Sequence, residues 1–280
     1  MLTIKDLSFS YGSNAVLKNI SMELRPGNIY GLLGENGVGK TTLLTLLCGL
    51  KKPLKGTIDI DGLKPFDRKP QLLSKIYYLA DDVADISMMP GEFAQNYGKF
   101  WDKFSMDTFN ALAGILEIPL GNRMDKMSTG ELKKTHICFA LATGCEYIFM
   151  DEPTNGLDIP SKAQFRKALL QFTSEDCSVV ISTHQVKDLE SVIDPVIILD
   201  RQEVLLNASL AEISEKVYFD YGTELKPDAL YSEFIPGGCV QVLPNADGAE
   251  SKVSLEALFN AVHKNKQWFA AAFGKQEAGA

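Results

Sequence analysis

The chain has 280 residues, of which 45% are hydrophobic, so it can bury one large or two small hydrophobic cores. Its formal net charge is −8 and no long basic run is present, which argues against a nucleic-acid-binding protein. The N-terminus shows no signal-peptide pattern, and no apolar run approaches the roughly 18 residues needed to cross a bilayer. The five cysteines show neither C-x-x-C nor metal-ligand spacing, which predicts reduced thiols in a cytosolic protein.

The chain begins with two stretches, 2–10 and 15–24, in which apolar and polar residues alternate. This pattern predicts an early antiparallel sheet that ends at the Pro-Gly pair 26–27. Tyr11 lies on the turn between the two strands, where an aromatic ring is usually half-buried.

A glycine-rich loop follows, and residues 34–41 fit the phosphate-binding pattern G-x-x-x-x-G-K-[ST] at every fixed position. The apolar stretch 29–33 predicts a buried strand before the loop, and 42–48 predicts a helix after it. In that context, backbone N–H groups and the helix N-terminus bind phosphates. Lys40 is then expected to reach the β- and γ-phosphates of a nucleoside triphosphate, and the Thr41 hydroxyl to bind Mg²⁺.

Two more strands are predicted next, at 56–62 and at 75–80, and the second ends at Asp81. Residues 85–145 change to helical spacing and predict a helical insertion. The aromatic residues at 93–104 have the spacing of a packed helix face, which favours a role in the core over a binding platform.

Ser128 begins a capping-box pattern with Glu131, so a helix is predicted from about residue 132 to 142. The apolar strand 147–150 then ends in Asp151 and Glu152. Both carboxylates should emerge at the C-terminal edge of a parallel sheet, where ligands bind. Asp151 is expected to bind Mg²⁺, and Glu152 to orient and deprotonate a water molecule.

The apolar strand 179–183 brings His184 to the same edge of the sheet. A closing pair of strands is predicted at 196–200 and 203–206, and the sequence of 208–264 indicates a small mixed α/β extension. Residues 265–280 are predicted to be a weakly ordered tail.

Taken together, residues 2–207 resemble the ATP-binding subunit of ABC transporters. The run 151–158 resembles the Walker B and D-loop sequences of that family, His184 its switch histidine, and 127–131 its signature sequence Leu-Ser-Gly-Gly-Gln. The resemblance implies an α/β P-loop ATPase core over 1–207, with an N-terminal antiparallel β subdomain and a helical subdomain at 85–145. It also implies that catalysis involves Lys40, Glu152 and His184. ATP would contact Tyr11, Gly34, Glu35, Asn36, Gly37, Val38, Gly39, Lys40, Thr41, Thr42, Ser128, Gly130 and Asp158, and Mg²⁺ would contact Thr41, Asp151 and Asp81.

The sequence departs from the family pattern at two places. Thr129 replaces a glycine and Glu131 replaces the glutamine of the signature, while Ser128 and Gly130 are kept. Asp81 stands where the family usually has a glutamine that senses Mg²⁺ and the attacking water. A carboxylate there can meet the metal through water, but it adds negative charge near the phosphates.

The resemblance implies an ATPase that works as a homodimer or as a heterodimer with a related ATPase. Two chains would pair head to tail around two ATP molecules, so that Ser128 and Gly130 of one chain cap the γ-phosphate held by Lys40 of the other. It further implies a separate transmembrane permease, a location on the cytoplasmic face of the membrane, and, from the order of elements, the drug-exporter or ABC-2-like branch. The alternatives are a soluble ABC ATPase of the cluster-assembly type and a nucleotide-binding regulator without turnover.

Overall fold

The computed structural model describes residues 1–274, and residues 275–280 lie outside the described part. Short 3₁₀ turns occur at Pro65–Asp67, Met124–Lys126 and Val186–Asp188. The strands and longer helices are, in chain order, β1 (Leu2–Tyr11), β2 (Asn14–Leu24), β3 (Ile29–Leu33), α1 (Lys40–Leu47), β4 (Lys55–Ile60), α2 (Pro70–Leu73), β5 (Ile76–Leu79), α3 (Pro90–Gly98), α4 (Met106–Ile115), α5 (Thr129–Ala142), β6 (Tyr147–Asp151), α6 (Ile159–Phe172), β7 (Ser178–Thr183), β8 (Val196–Asp200), β9 (Glu203–Ala208), α7 (Leu210–Lys216), β10 (Val217–Gly222), β11 (Tyr231–Ile235), β12 (Gly238–Pro244), α8 (Leu255–Lys264) and α9 (Lys266–Phe273).

The N-terminal sheet is antiparallel, with strand order β2-β1-β4, and confirms the predicted antiparallel β subdomain. Leu2 in its middle strand lies opposite Leu24 on one side and Ile60 on the other, and all three are fully buried. These apolar positions join the side chains of α1 in one hydrophobic core. The sheet therefore packs against the helix that follows the glycine-rich loop.

The central sheet has the strand order β5-β6-β7-β3-β8-β9 and is parallel except for β9. Every residue of β6, β7 and β8 is buried, as expected for parallel strands covered on both faces. Because β3, β5, β6 and β7 run in the same direction, their carboxyl ends meet at one edge of the sheet. The glycine-rich loop, Asp81 and His184 follow strands that end there, and Asp151 is the last residue of β6.

Helices α3, α4 and α5 occupy the region predicted as a helical insertion. Residues 132–142 of α5 are all buried, because this helix packs between α4 and the central sheet. Phe139 is in aromatic contact with Phe93 at a ring-centroid distance of 4.7 Å and with Trp101 at 5.7 Å. The aromatic residues of 93–104 thus contribute to the core, although Tyr97 and Phe100 remain exposed.

The C-terminal part consists of an antiparallel sheet, β10-β12-β11, together with α7, α8 and α9. The prediction of weak order from residue 265 was wrong for 265–274, because α9 forms there. Phe269 of α9 is fully buried in the main hydrophobic core, and α9 packs on β9. Residues 275–280 of the predicted tail lie outside the described residues.

None of the helices within residues 1–274 combines the length and apolar composition needed to cross a membrane. All five cysteines are buried and unpaired. Burial raises the pKa of the Cys177 thiol to about 12, so this thiol stays protonated at neutral pH.

Candidate active site

The glycine-rich loop connects β3 to α1 and leaves space for an anion. Gly37 and Gly39 adopt φ angles of +78° and +115°, which a residue with a side chain rarely adopts. A Cβ at Gly39 would come within 2.9 Å of Val16, whereas a Cβ at Gly37 would meet nothing within 4 Å. No side chain caps the N-terminus of α1. Its first N–H groups are therefore available to a ligand.

Lys40 is buried and folds back over this loop. Its ammonium group donates hydrogen bonds to the carbonyl oxygens of Gly34 at 2.8 Å and Glu35 at 3.2 Å. Its Nζ also lies 3.4 Å from Oε1 of Glu152. The positive charge thus stands between the loop and the carboxylate that follows β6.

Asp151, only 3% exposed, ends β6 between two hydroxyl groups. The Thr41 hydroxyl donates to its Oδ2 at 2.5 Å, and the Ser182 hydroxyl donates to its Oδ1. Ser182 was not singled out from the sequence. The only signal was a polar residue near the end of the apolar strand β7, and its contact with Asp151 depends on the pairing of β6 with β7.

Glu152 has φ = +44°, a left-handed conformation that is uncommon for a residue with a side chain. Its N–H donates to the Ser182 carbonyl at 3.1 Å, and its Oε1 lies 3.0 Å from Nδ1 of His184. Lys40 and His184 therefore approach the same buried carboxylate oxygen from two residues far apart in sequence. Strained backbone at such a position is frequent in active sites.

Tyr11 lies at the other end of the pocket and is 49% exposed. Its hydroxyl is 3.4 Å from the Thr42 hydroxyl, a contact that lowers the tyrosine pKa. The Lys51 ammonium lies 5.0 Å from the ring centroid. The Tyr11 ring thus lies at the rim of the pocket beside Lys51. This lysine was not identified from the sequence.

One open pocket of about 720 Å³, within the size range of ordinary ligand sites, is lined by Tyr11, Lys40, Thr41, Thr42, Asp151, Glu152 and His184. Asn36, Gly37, Gly39 and Asp81 line it as well, together with Asn14, Val16, Tyr78, Ala80, Asp82 and Asn155. Of the other predicted loop residues, Gly34 and Glu35 accept hydrogen bonds from Lys40, and Val38 packs against Gly34.

Ser128, Gly130 and Asp158 do not line this pocket. Ser128 caps α5 in the predicted capping box, in which Glu131 accepts from the Ser128 N–H at 2.8 Å. Gly130 lies close to Gly156, where a Cβ would come within 3.3 Å of the Gly156 carbonyl oxygen. Asp158 caps α6 by accepting from the Ser161 N–H at 2.8 Å. The structure therefore does not bring these residues to the chain's own phosphate loop.

Asp81 lines the pocket, but its carboxylate already has protein partners. Oδ1 lies 3.2 Å from the Lys133 ammonium group, and Asn155 Nδ2 lies 3.3 Å from both carboxylate oxygens. Lys133 and Asn155 were not predicted as site residues. Their contacts with Asp81 cross 52 and 74 residues of sequence, a distance that no local pattern reveals.

The residues present fit a nucleoside triphosphate with Mg²⁺. The open cradle at Gly37, the uncapped α1 and the buried ammonium of Lys40 suit phosphate oxygens. The Thr41 hydroxyl and the Asp151 carboxylate are oxygen donors of the kind that Mg²⁺ prefers. Residues 1–274 contain no group of three or more His, Cys, Asp or Glu side chains able to hold a metal. Mg²⁺ here would accordingly take its remaining ligands from the phosphates and from water.

Comparison with known proteins gives a consistent result. The family model "ABC transporter" matches residues 17–155. The chain is 31% identical to the bacitracin transport ATP-binding protein BcrA of Bacillus licheniformis, over 71% of this chain and 67% of that protein. It is 27% identical to the ABC transporter ATP-binding protein NatA of Bacillus subtilis, over 77% of this chain and 92% of NatA. The fold matches that of a dimeric ATP-binding cassette bound to ADP and Pi, with a TM-score of 0.65, 23% identity, and coverage of 75% of this chain and 99% of that one.

Proposed function

The chain belongs to the family of ATP-binding subunits of ABC transporters, and we propose that it hydrolyses ATP to power a separate transmembrane permease through head-to-tail dimerisation. The observation that carries the proposal is the division of the predicted residues into two sets. Lys40, Asp151, Glu152 and His184 meet in one pocket, whereas Ser128 and Gly130 lie outside it. A second chain, paired head to tail, would bring the two sets together.

In the proposed reaction, Lys40 leaves the carbonyl oxygens of its own loop and binds the β- and γ-phosphates. Thr41 and Asp151 would hold Mg²⁺, which would supply positive charge to the phosphate oxygens. Ser182 keeps the Asp151 carboxylate oriented through its hydrogen bond to Oδ1.

Glu152 is proposed as the general base that orients and deprotonates the attacking water. His184 contacts the same carboxylate and is proposed to reach the γ-phosphate. Tyr11 offers its exposed ring to the adenine, and the backbone of the loop from Gly34 to Thr42 surrounds the phosphates. Asp81 is engaged by Lys133 and Asn155, which favours contact with the metal through water over direct ligation.

In the proposed dimer, the N-terminus of α5 with Ser128 and Gly130 caps the γ-phosphate held by the partner chain, and Asp158 lies at the same interface. The first N–H groups of α5 suit an oxyanion, and a complete clamp would form only when ATP is present. ATP binding would then close the dimer and hydrolysis would reopen it.

The permease is proposed to dock in a groove between the helical insertion and the Asp81 loop, which places this chain on the cytoplasmic face of the membrane. The groove encloses about 480 Å³ and combines apolar side chains such as Met124 and Leu132 with the carboxylates of Asp82 and Asp85. We propose export as the direction of transport. The order of elements supports it, whereas the names of relatives at similar identity include both an export and an import protein.

Affinity purification from gently solubilised membranes and from the soluble fraction of the native host tests the permease proposal. A co-purifying polytopic membrane protein is the expected result, and reconstitution of that complex in vesicles with ATP on one side would then report the direction. Recovery from the soluble fraction alone, with soluble partners, would replace the transport proposal with the cluster-assembly alternative. Glu152→Gln serves as the control that lacks hydrolysis.

A further inference from the structure

Asp81 and Lys133 form an ion pair between the loop after β5 and helix α5. The Lys133 side chain is buried on α5, with 2% exposure, whereas Asp81 lies at the mouth of the nucleotide pocket. Within residues 1–274, the ammonium group of Lys133 hydrogen-bonds only to Asp81, through its Oδ1 and its carbonyl oxygen. A buried ammonium group needs such a partner, so the charge of Lys133 depends on Asp81.

A second contact fixes the same loop to the same helix. His136, one turn after Lys133, lies with Nε2 3.0 Å from the carbonyl oxygen of Ala84. Helix α5 therefore holds the loop after β5 at two points, Asp81 and Ala84. Because Ser128 caps the N-terminus of α5, a movement of this loop would be transmitted to the signature residues through one helix.

Hydrogen bonds extend from this ion pair to the catalytic side of the pocket. Asn155 donates to the Asp81 carboxylate, and its own Oδ1 accepts a hydrogen bond from Gln185 Nε2 at 3.2 Å. Gln185 directly follows His184. A continuous polar network thus connects the signature helix, the loop after Glu152 and the residue that follows His184.

Lys133 also affects the charge of the nucleotide pocket. An unpaired carboxylate at position 81 would add negative charge to a pocket that already contains Asp151 and Glu152 and must accept a triphosphate. Lys133 compensates that charge from the side of α5, at 3.2 Å from Oδ1. The pair as a whole is neutral, as the glutamine of the family pattern is.

We propose that Lys133 is a positioning residue for ATP hydrolysis, which neutralises Asp81 and couples the nucleotide pocket of its own chain to the signature helix. The inference rests on the proposed head-to-tail dimer, in which that helix caps the nucleotide of the partner chain. Through the Asp81–Lys133 pair, occupancy of one nucleotide pocket then influences the completion of the other.

A double-mutant cycle tests this assignment, with every variant also carrying Glu152→Gln so that bound ATP persists. The dimer dissociation constant with Mg-ATP is measured by sedimentation velocity for Lys133→Gln, Asp81→Gln and the double variant. Each single variant should raise this constant at least about tenfold, and the double variant should return to within about threefold of the parent. Lys126→Gln is the matched control, because Lys126 is exposed, belongs to the same subdomain and forms no ion pair in the described part of the chain.

The affinity of the monomer for ATP is the second measurement. If Lys133 only stabilised the fold, its substitution would not lower this affinity. Lys133→Gln leaves a bare carboxylate near the phosphates and should lower ATP affinity about tenfold or more, whereas the matched control Lys126→Gln should not lower it. If Lys133→Gln alone fails to fold, rescue of Asp81→Gln by the second substitution gives the same information.

The outcomes separate the two proposals. If the Glu152→Gln chain remains monomeric with Mg-ATP, the proposed dimerisation is wrong. If it dimerises but the effects of the two substitutions simply multiply, only the coupling through Lys133 is overturned.

Discussion

Nδ1 of His184 lies 3.0 Å from Oε1 of Glu152, and Lys40 Nζ approaches the same oxygen at 3.4 Å. A single buried carboxylate oxygen therefore links the phosphate loop, the end of β6 and the end of β7. Because Glu152 also has a left-handed backbone conformation, its position is fixed by the main chain as well as by its neighbours.

Glu152→Gln should abolish most ATP hydrolysis while leaving ATP binding intact. An amide has the size of the carboxylate but cannot accept a proton, so we expect a loss of roughly 10²- to 10⁴-fold in turnover. Steady-state phosphate release and equilibrium ATP binding are the two measurements. Unchanged turnover would show that another group acts as the base.

Ser182→Ala should raise the Mg²⁺ concentration that ATP binding requires. The substitution removes a hydroxyl that donates to the buried Asp151 carboxylate, which leaves one oxygen of that carboxylate less well oriented. Titration of ATP binding with Mg²⁺ should show a higher midpoint, while binding in the presence of EDTA should not change. Ser178→Ala is the control, because Ser178 is equally buried on β7 but donates to the Arg25 carbonyl, away from the pocket. Equal Mg²⁺ midpoints for the two variants would contradict the assigned role of Ser182.

The sequence could predict that the glycine-rich loop, Asp151, Glu152 and His184 meet at one edge of the sheet, because each is marked by a local pattern: a spacing of glycines or the end of an apolar strand. The contacts of Ser182 and Lys133 could not be predicted in the same way, because they depend on which strands and helices become neighbours. Helix α9 was missed for a related reason. Its order comes from packing of Phe269 into the core, whereas its short alanine-rich sequence gives little independent signal.

Stability should decrease when the pH falls from 7 to 5, in part because of His136. Burial lowers the pKa of this imidazole below its ordinary value of 6.5, and the nearby Lys133 charge acts in the same direction. The unfolded chain therefore binds a proton at a higher pH than the folded chain, so the free energy of unfolding is retained above pH 6.5 and is progressively lost below it. Urea unfolding at several pH values should show a smaller decrease for His136→Gln than for the parent. Identical pH profiles would show that His136 does not contribute.

Phe139→Ala should destabilise the helical insertion strongly. The ring is buried among Phe93, Tyr77, Trp101 and Phe104, so its removal leaves a cavity and should cost about 3–5 kcal/mol of unfolding free energy. Phe100→Ala is the matched control, since its ring is 63% exposed and its loss should change stability by less than about 0.5 kcal/mol. Similar losses for both variants in urea denaturation would contradict the described packing.

Phe269→Ala tests whether α9 is an integral part of the fold. The Phe269 ring is fully buried, packs beside Trp268 at 5.0 Å between centroids, and belongs to the core shared by the central sheet and α8. Its removal should lower the free energy of unfolding by about 3 kcal/mol or more and should expose the end of the chain to proteolysis. Gln267→Ala lies on the exposed face of the same helix and should alter stability by no more than about 0.5 kcal/mol. If both variants unfold at the same urea concentration as the parent, residues 265–274 contribute nothing to the core, and the weak order expected from their sequence would describe them better than a packed helix does.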